Sequence, residues 1–177
     1  MAAGQRPNLA KSTGRDGGDR GRHTRRVMEP DFDHPQDPAA GWAAQHVHDY
    51  VATDGAHPSN GHDWRRGAPV LLLTTIGRRT GRTVRTPLIY GRDGDRYLVV
   101  ASKGGSDEPP VWYRNLVADP RVRVQVRGDV MDGRARAATP EEQGRLWPEM
   151  ARIWPDYDNY QARTNRPIPV VVIEPEG

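Results

Sequence analysis

Two short stretches hold the residues best suited to chemistry. In Ile76-Gly-Arg-Arg-Thr-Gly81, two guanidinium groups and a hydroxyl sit between two glycines, directly after the apolar run Val70–Ile76. In Ala101-Ser-Lys-Gly-Gly105, a hydroxyl and an ammonium group precede two glycines, again at the end of an apolar run. Guanidinium forks, ammonium groups and exposed backbone N–H groups bind phosphate or carboxylate. The first stretch is not a P-loop, because Gly-Lys-Ser/Thr at the required spacing is missing. Taken singly, each turn reads as an ordinary hairpin with solvated cations. Two of them, both at strand ends, point to one anionic ligand held between them.

Other catalytic groups are scarce. No histidine follows His62, no Gly-x-Ser-x-Gly elbow is present, and no carboxylate pair stands out. The chain has no cysteine, which excludes disulfides, thiolate metal sites and a cysteine nucleophile. His46, His48, His57 and His62 lack ligand-like spacing, so no metal is expected. An anion cradle with aromatic residues nearby and no nucleophile–base pair fits chemistry carried by a bound cofactor, for which the protein supplies position and electrostatics.

At 177 residues the chain is long enough for one domain with a sizeable core. Its mean hydropathy of −0.84 implies that part of it lies outside that core. No apolar run approaches the ~18 residues a spanning helix needs, and a cytoplasmic setting is the default. The net charge of +3 hides strong zoning. Residues 1–26 are basic, 27–64 carry acids but no Lys or Arg, and 65–103 are basic again across both glycine turns. Residues 1–35 read as a disordered basic and polar arm, and 36–177 as a single domain. Met28 offers an alternative start. The arm lacks stacking aromatics, so no nucleic-acid partner is expected.

The elements that must position the two turns follow from periodicity. A helix is predicted over Asp37–Val51, with Asp37 as cap and Pro38 in its first turn. It is suited to core packing first, and to covering a pocket or resting on a membrane surface second. Pro69–Thr75 reads as a buried strand, Arg82–Tyr90 as a strand made an edge or bulge by Pro87, and Arg96–Ala101 as a third strand after the Asp93-Gly94 hairpin signal. Ser106 to Pro110 is expected to open a helix stopped by Asp119-Pro120. Val122, Val124 and Val126 alternate with polar residues, and Val130–Ala138 follows as the next strand. Thr139-Pro-Glu-Glu142 is a capping box for a helix that Pro148 should bend. Ile168–Ile173 is the last strand. Short hairpins dominate, which argues for a mainly β chain (α+β): an antiparallel barrel with helices packed outside.

The collinear motifs Leu-Leu-Thr-Thr-x-Gly-Arg-Arg-Thr-Gly81, Thr86-Pro87-Leu88, Ala101-Ser-Lys-Gly-Gly105, Pro110-x-Trp-Tyr-x-Asn-Leu116, Asp119-Pro120 and Ile168-Pro-Val-Val-Val172 resemble the deazaflavin-dependent nitroreductases. The resemblance spans about Val70 to Pro175. It implies a split β-barrel of the FMN-binding type that binds the deazaflavin coenzyme F420, FMN being the less favoured cofactor. The reduced form passes hydride to a small electron-poor acceptor such as a quinone, enone or nitroaromatic. By position, Arg78, Arg79 and Thr80 would hold the anionic tail. Arg85, Pro87, Val100, Ala101, Ser102, Lys103, Val111, Trp112 and Asn115 would complete the cofactor site. Ser102, Tyr157 and Tyr160 would face the acceptor as catalytic residues. A homodimer and peripheral membrane contact are further expectations.

The chain departs from that pattern at Ile89, where a tyrosine is usual, at Trp154, and at Val84 with Arg85 next door. A one-residue move along a strand puts a charge on the opposite face. These departures favour a quinone or enone over a nitro compound as acceptor.

Overall fold

A computed structural model describes residues 29–56 and 67–176. The predicted arm as far as residue 28, together with His57 and His62, lies outside the described residues. Helix α1 (Gly41–Ala52) precedes strands β1 (Val70–Ile76), β2 (Thr83–Asp93) and β3 (Arg96–Val100). A 3-10 turn at Lys103–Gly105 and helix α2 (Val111–Ala118) lead to β4 (Arg121–Val126) and β5 (Asp129–Ala137). Helices α3 (Pro140–Ile153) and α4 (Asp156–Ala162) precede β6 (Val170–Pro175).

The six strands close into an antiparallel barrel in the order β1-β2-β3-β6-β5-β4, the architecture expected from the hairpin pattern. Strand alternation sorts the side chains. Leu71, Leu73, Tyr97, Val99, Val122, Val124, Val171 and Ile173 fill the interior together with Trp112 and Leu116 from α2. On the outside, Leu98, Val100, Val170 and Val172 pack beneath Leu146, Met150 and Tyr157 of α3 and α4. Leu72 packs beneath Val47 and Tyr50 of α1. The Tyr50 hydroxyl donates to the Val70 carbonyl at 2.9 Å and accepts the Arg127 N–H at 2.8 Å, so α1 is pinned to β1 and to the turn between β4 and β5. His46 stacks on Tyr50, and burial holds its imidazole below the ordinary value. The 37–51 segment therefore plays the core-packing role; Trp42 and Val51 stay exposed. No helix among the described residues is long and apolar enough to cross a membrane.

Pro87 behaves as its missing N–H requires. It pairs with Leu72 of β1, while β3 pairs with β2 only from Tyr90 onward. On the flank that β3 leaves open, Gln36 donates to the Thr83 carbonyl and accepts the Arg85 N–H. Pro87 has the same parity as Thr83 and Arg85, so its nitrogen faces a side with no ladder to break. At the β2–β3 hairpin, Asp93 pairs with Arg96, and Gly94 takes a left-handed φ of 61° as the first central residue of the turn.

Two helix starts differ from expectation. Helix α1 begins at Gly41 with Ala40 as an uncapped N-cap, because Asp37 is drawn to Arg85 (3.2 Å). Helix α2 begins at Val111 after extended Pro110. The acids before it serve elsewhere: Asp107 accepts from Thr164, and Glu108 faces Lys103 and Arg114. Residues 29–35, assigned by composition to the arm, lie along the barrel. Glu29 meets Arg121 and Asp33 meets Arg123 at 2.6 Å, while Thr83 donates to the Asp31 carbonyl. Acids from the negative block thus sit on arginines of β2 and β4.

The capping box forms as read: the Glu142 N–H donates to Thr139 Oγ1, and the Thr139 N–H to the Glu142 carboxylate. Glu142 also takes a two-pronged contact from Arg136 (2.7 and 3.0 Å) and one from Arg96 (3.1 Å), tying α3 to β3 and β5. Asp93 receives both prongs of Arg145 at 2.9 Å. Arg136 holds the Glu142 carboxyl at about 2, down from 4.5, and Arg145 holds Asp93 at about 2, down from 3.8. Both folded-state values are depressed, so the stabilisation is complete above the unfolded values and is lost as pH falls from about 4.5 toward 2. Glu142→Gln is expected to lower the melting temperature at neutral pH and to flatten its fall across that acid window. Thermal melts of both proteins over the window check this.

Candidate functional site

Strand connectivity decides that the two glycine turns meet. β1 and β3 are both antiparallel to β2 and hence parallel to each other. The turn that leaves β1 at Gly77 and the turn that leaves β3 at Ala101 therefore emerge at the same end of the barrel.

The first turn closes on itself. Thr80 and Gly81 donate to the Gly77 carbonyl, and Gly77 donates to the Arg82 carbonyl. The Arg78 N–H is instead taken by Asn115 Oδ1 at 3.2 Å. Asn115 is buried on α2, and its Nδ2 donates to Thr75 Oγ1 at 3.2 Å. One amide thus joins the end of β1, the turn and α2. Arg78, Arg79 and Thr80 project into solvent, and neither arginine makes an ion pair among the described residues.

The second turn has a backbone suited to anions. Ser102 is right-handed helical (φ −76°, ψ −43°), Lys103 follows at φ 46° and Gly104 at φ 62°. A right-handed residue followed by left-handed ones points successive N–H groups to one side, forming a concave anion nest. The N–H groups of Ser102, Lys103 and Gly104 have no partner among the described residues. The left-handed conformation at Lys103 costs a side-chain-bearing residue about 1 kcal/mol. Gly105 is required for a different reason. A Cβ there would lie 2.5 Å from the Tyr160 carbonyl, so its absence lets α4 press against the turn.

Helix α2 links the turns. Arg114, next to Asn115, places Nη2 3.8 Å from Glu108 Oε2, and Lys103 Nζ lies 3.7 Å from the same oxygen. A carboxylate of the chain itself thus rests between the two cations. Arg114 Nε is buried without a partner. Unpaired cations, a backbone nest and an orphaned guanidinium donor fit an anionic ligand.

The expected site residues divide into two sets. Arg78, Arg79, Thr80, Ser102, Lys103, Asn115 and Tyr160 gather around α2 and the two turns, with exposed Val111 at the start of the helix. Ser102 Oγ makes no hydrogen bond among the described residues and is free to donate. Ala101 points into the barrel. Arg85 and Pro87 lie on the outer face of β2, paired with Thr74 and Leu72, where Arg85 holds Asp37. Trp112 packs inside the barrel, edge-on to Tyr113. Val100 and Tyr157 share the outer core beneath α3 and α4. Burial pushes the Tyr157 phenol up, so it stays protonated; its ring meets Tyr160 edge-on at 6.2 Å. Arg114 and Glu108 were not singled out in the sequence, although Arg114 stands beside Asn115 in the quoted Pro110–Leu116 motif.

Comparison with known proteins gives a consistent picture. Residues 42–175 match the family model described as F420H(2)-dependent quinone reductase. An F420H(2)-dependent quinone reductase of Mycobacterium tuberculosis (strain ATCC 25618 / H37Rv) is 40% identical over 147 residues, covering 75% of this chain and 95% of that protein. The solved structure of an F420-H2 dependent reductase (FDR-A) is 38% identical with a TM-score of 0.56, over 60% of this chain and 94% of that one. Another, described as a domain-swapped dimer, is 34% identical with a TM-score of 0.57, over 72% and 96%. The barrel alone extends to HutZ, the heme storage protein from Vibrio cholerae, at 16% identity and a TM-score of 0.50, over 65% and 87% of the two chains.

Two substitutions should move the melting temperature in opposite directions. Asn115→Leu strands the Arg78 N–H and Thr75 hydroxyl and is expected to destabilise by about 1–3 kcal/mol. Lys103→Gly relieves the left-handed side chain and is expected to stabilise by about 1 kcal/mol. Denaturant melts of the two variants beside the parent give both values.

Proposed function

The chain belongs to the F420H(2)-dependent quinone reductase family, and we propose that it reduces quinones with F420H2 bound across its two cationic turns. The carrying observation is the convergence of both turns on α2 through Asn115 and the Arg114–Glu108–Lys103 contacts.

Arg78, Arg79 and Thr80 would hold the anionic tail, with Lys103 and the nest at Ser102–Gly104 as a second anion site. Arg114 would join them once Glu108 yields to the ligand. When bound, reduced F420 supplies a hydride; with one proton, the quinone takes up two electrons in all and leaves as hydroquinone. Ser102 Oγ would donate a hydrogen bond to the acceptor oxygen as negative charge develops there. Tyr160, beside the second turn, would border the acceptor, and Tyr157 would hold it in place by packing. Arg85, Pro87, Val100 and Trp112 would support the site from the strands and core. Enones and nitroaromatics, electron-poor in the same way, are proposed as secondary acceptors. The domain-swapped relative supports a homodimer for this chain, which sedimentation velocity would register as twice the chain mass.

Fluorescence titration is expected to show saturable F420 binding at micromolar cofactor. Turnover with a quinone should oxidise F420H2. Arg78→Ala combined with Lys103→Ala is expected to weaken binding by ~2–4 kcal/mol. Absence of saturable binding to the parent protein would overturn the assignment.

A further inference from the structure

We propose that Arg166 is the positioning residue of this site: a brace that holds the second turn in its anion-binding shape from behind. The proposal rests on the cofactor reading above and extends it to a residue between α4 and β6. Arg166 Nε donates to the Ser106 carbonyl at 2.7 Å. Its Nη2 donates to the carbonyls of Ala101 and Ser102, at 3.1 and 2.9 Å. One planar cation therefore gathers three carbonyls from both flanks of the five-residue turn.

That arrangement has a directional consequence. With the flanking carbonyls drawn to the guanidinium, the N–H groups of Ser102, Lys103 and Gly104 stay unclaimed by the chain. The strained Lys103 conformation needs such an anchor, since an unbraced turn would relax to a negative φ and scatter the donors. Only a rigid, permanently charged fork reaches three oxygens in one plane; a lysine ammonium is a single point donor. Arg166 is itself secured. Its N–H donates to Thr164 Oγ1 at 3.3 Å, and Thr164 donates to Asp107 at 2.7 Å. Gln161 Nε2 donates to the Arg166 carbonyl at 3.0 Å. Arg166 Nη1 is buried without a partner among the described residues. With Nε and Nη2 committed to the turn, Arg166 acts through the backbone of residues 101–106.

The test uses the full chain with Arg166→Lys and Arg166→Gln. In the cofactor-free protein, amide hydrogen exchange at Gly105 and Ser106, whose N–H groups bond within the turn, is expected to quicken by about tenfold or more in both variants. The β1 and β6 amides should keep the parent rate. F420 is expected to bind about 10–100-fold more weakly to both, with kcat at saturating F420H2 and the quinone KM moving far less. If lysine restores parental exchange and affinity, charge alone suffices and the brace is overturned. Unchanged affinity in both variants overturns it equally. Should Arg166→Gln fail to fold, Arg166→Lys decides alone. If the parent protein binds no F420, the functional assignment falls, and exchange at Gly105 and Ser106 then decides the brace independently.

Discussion

The site depends on one buried amide. Asn115 accepts from the Arg78 backbone and donates to Thr75. The end of β1, the first cationic turn and α2 are thereby held as one unit. Such a group is costly to bury unless both its functions are met, and here both are met by the pieces it must hold together. From the neighbouring position, Arg114 reaches Glu108 and, through it, Lys103. A helix of eight residues is enough to set two turns, distant in sequence, against each other.

Charge zoning has a structural use beyond the ligand. The acidic stretch ahead of α1 lies on arginines of the outer barrel face: Glu29 on Arg121, Asp33 on Arg123, Asp37 on Arg85. Phe32 adds its ring beneath the Arg123 guanidinium at 5.4 Å. Within the larger basic surplus, some cations are thus paired by the chain and others are not. Arg78 and Arg79, at the rim, make no ion pair among the described residues.

Strands were more legible than helix starts. Alternation in Val122–Val126, the Asp-Gly hairpin and the Thr139–Glu142 capping box rest on contacts between near neighbours, so they can be read locally. Asp37 and the acids at 107–108 look equally well suited to helix N-termini. They are diverted by Arg85, Thr164, Lys103 and Arg114, whose proximity arises only after folding. Arg166 was invisible for the same reason: the carbonyls it binds lie some sixty residues earlier in the chain.

The sequence by itself determined the barrel and the family, because side-chain period, glycine placement and collinear motifs are properties of neighbouring residues. The tertiary structure alone decided which of the named residues lie together. Arg78, Lys103 and Asn115 come together because β1 and β3 run parallel across β2 and α2 spans their ends. Arg85 falls on the outer face because a strand reverses its side chains at every residue, and Trp112 and Tyr157 are taken up by the core because burying an aromatic ring removes more apolar surface from water than leaving it at the rim.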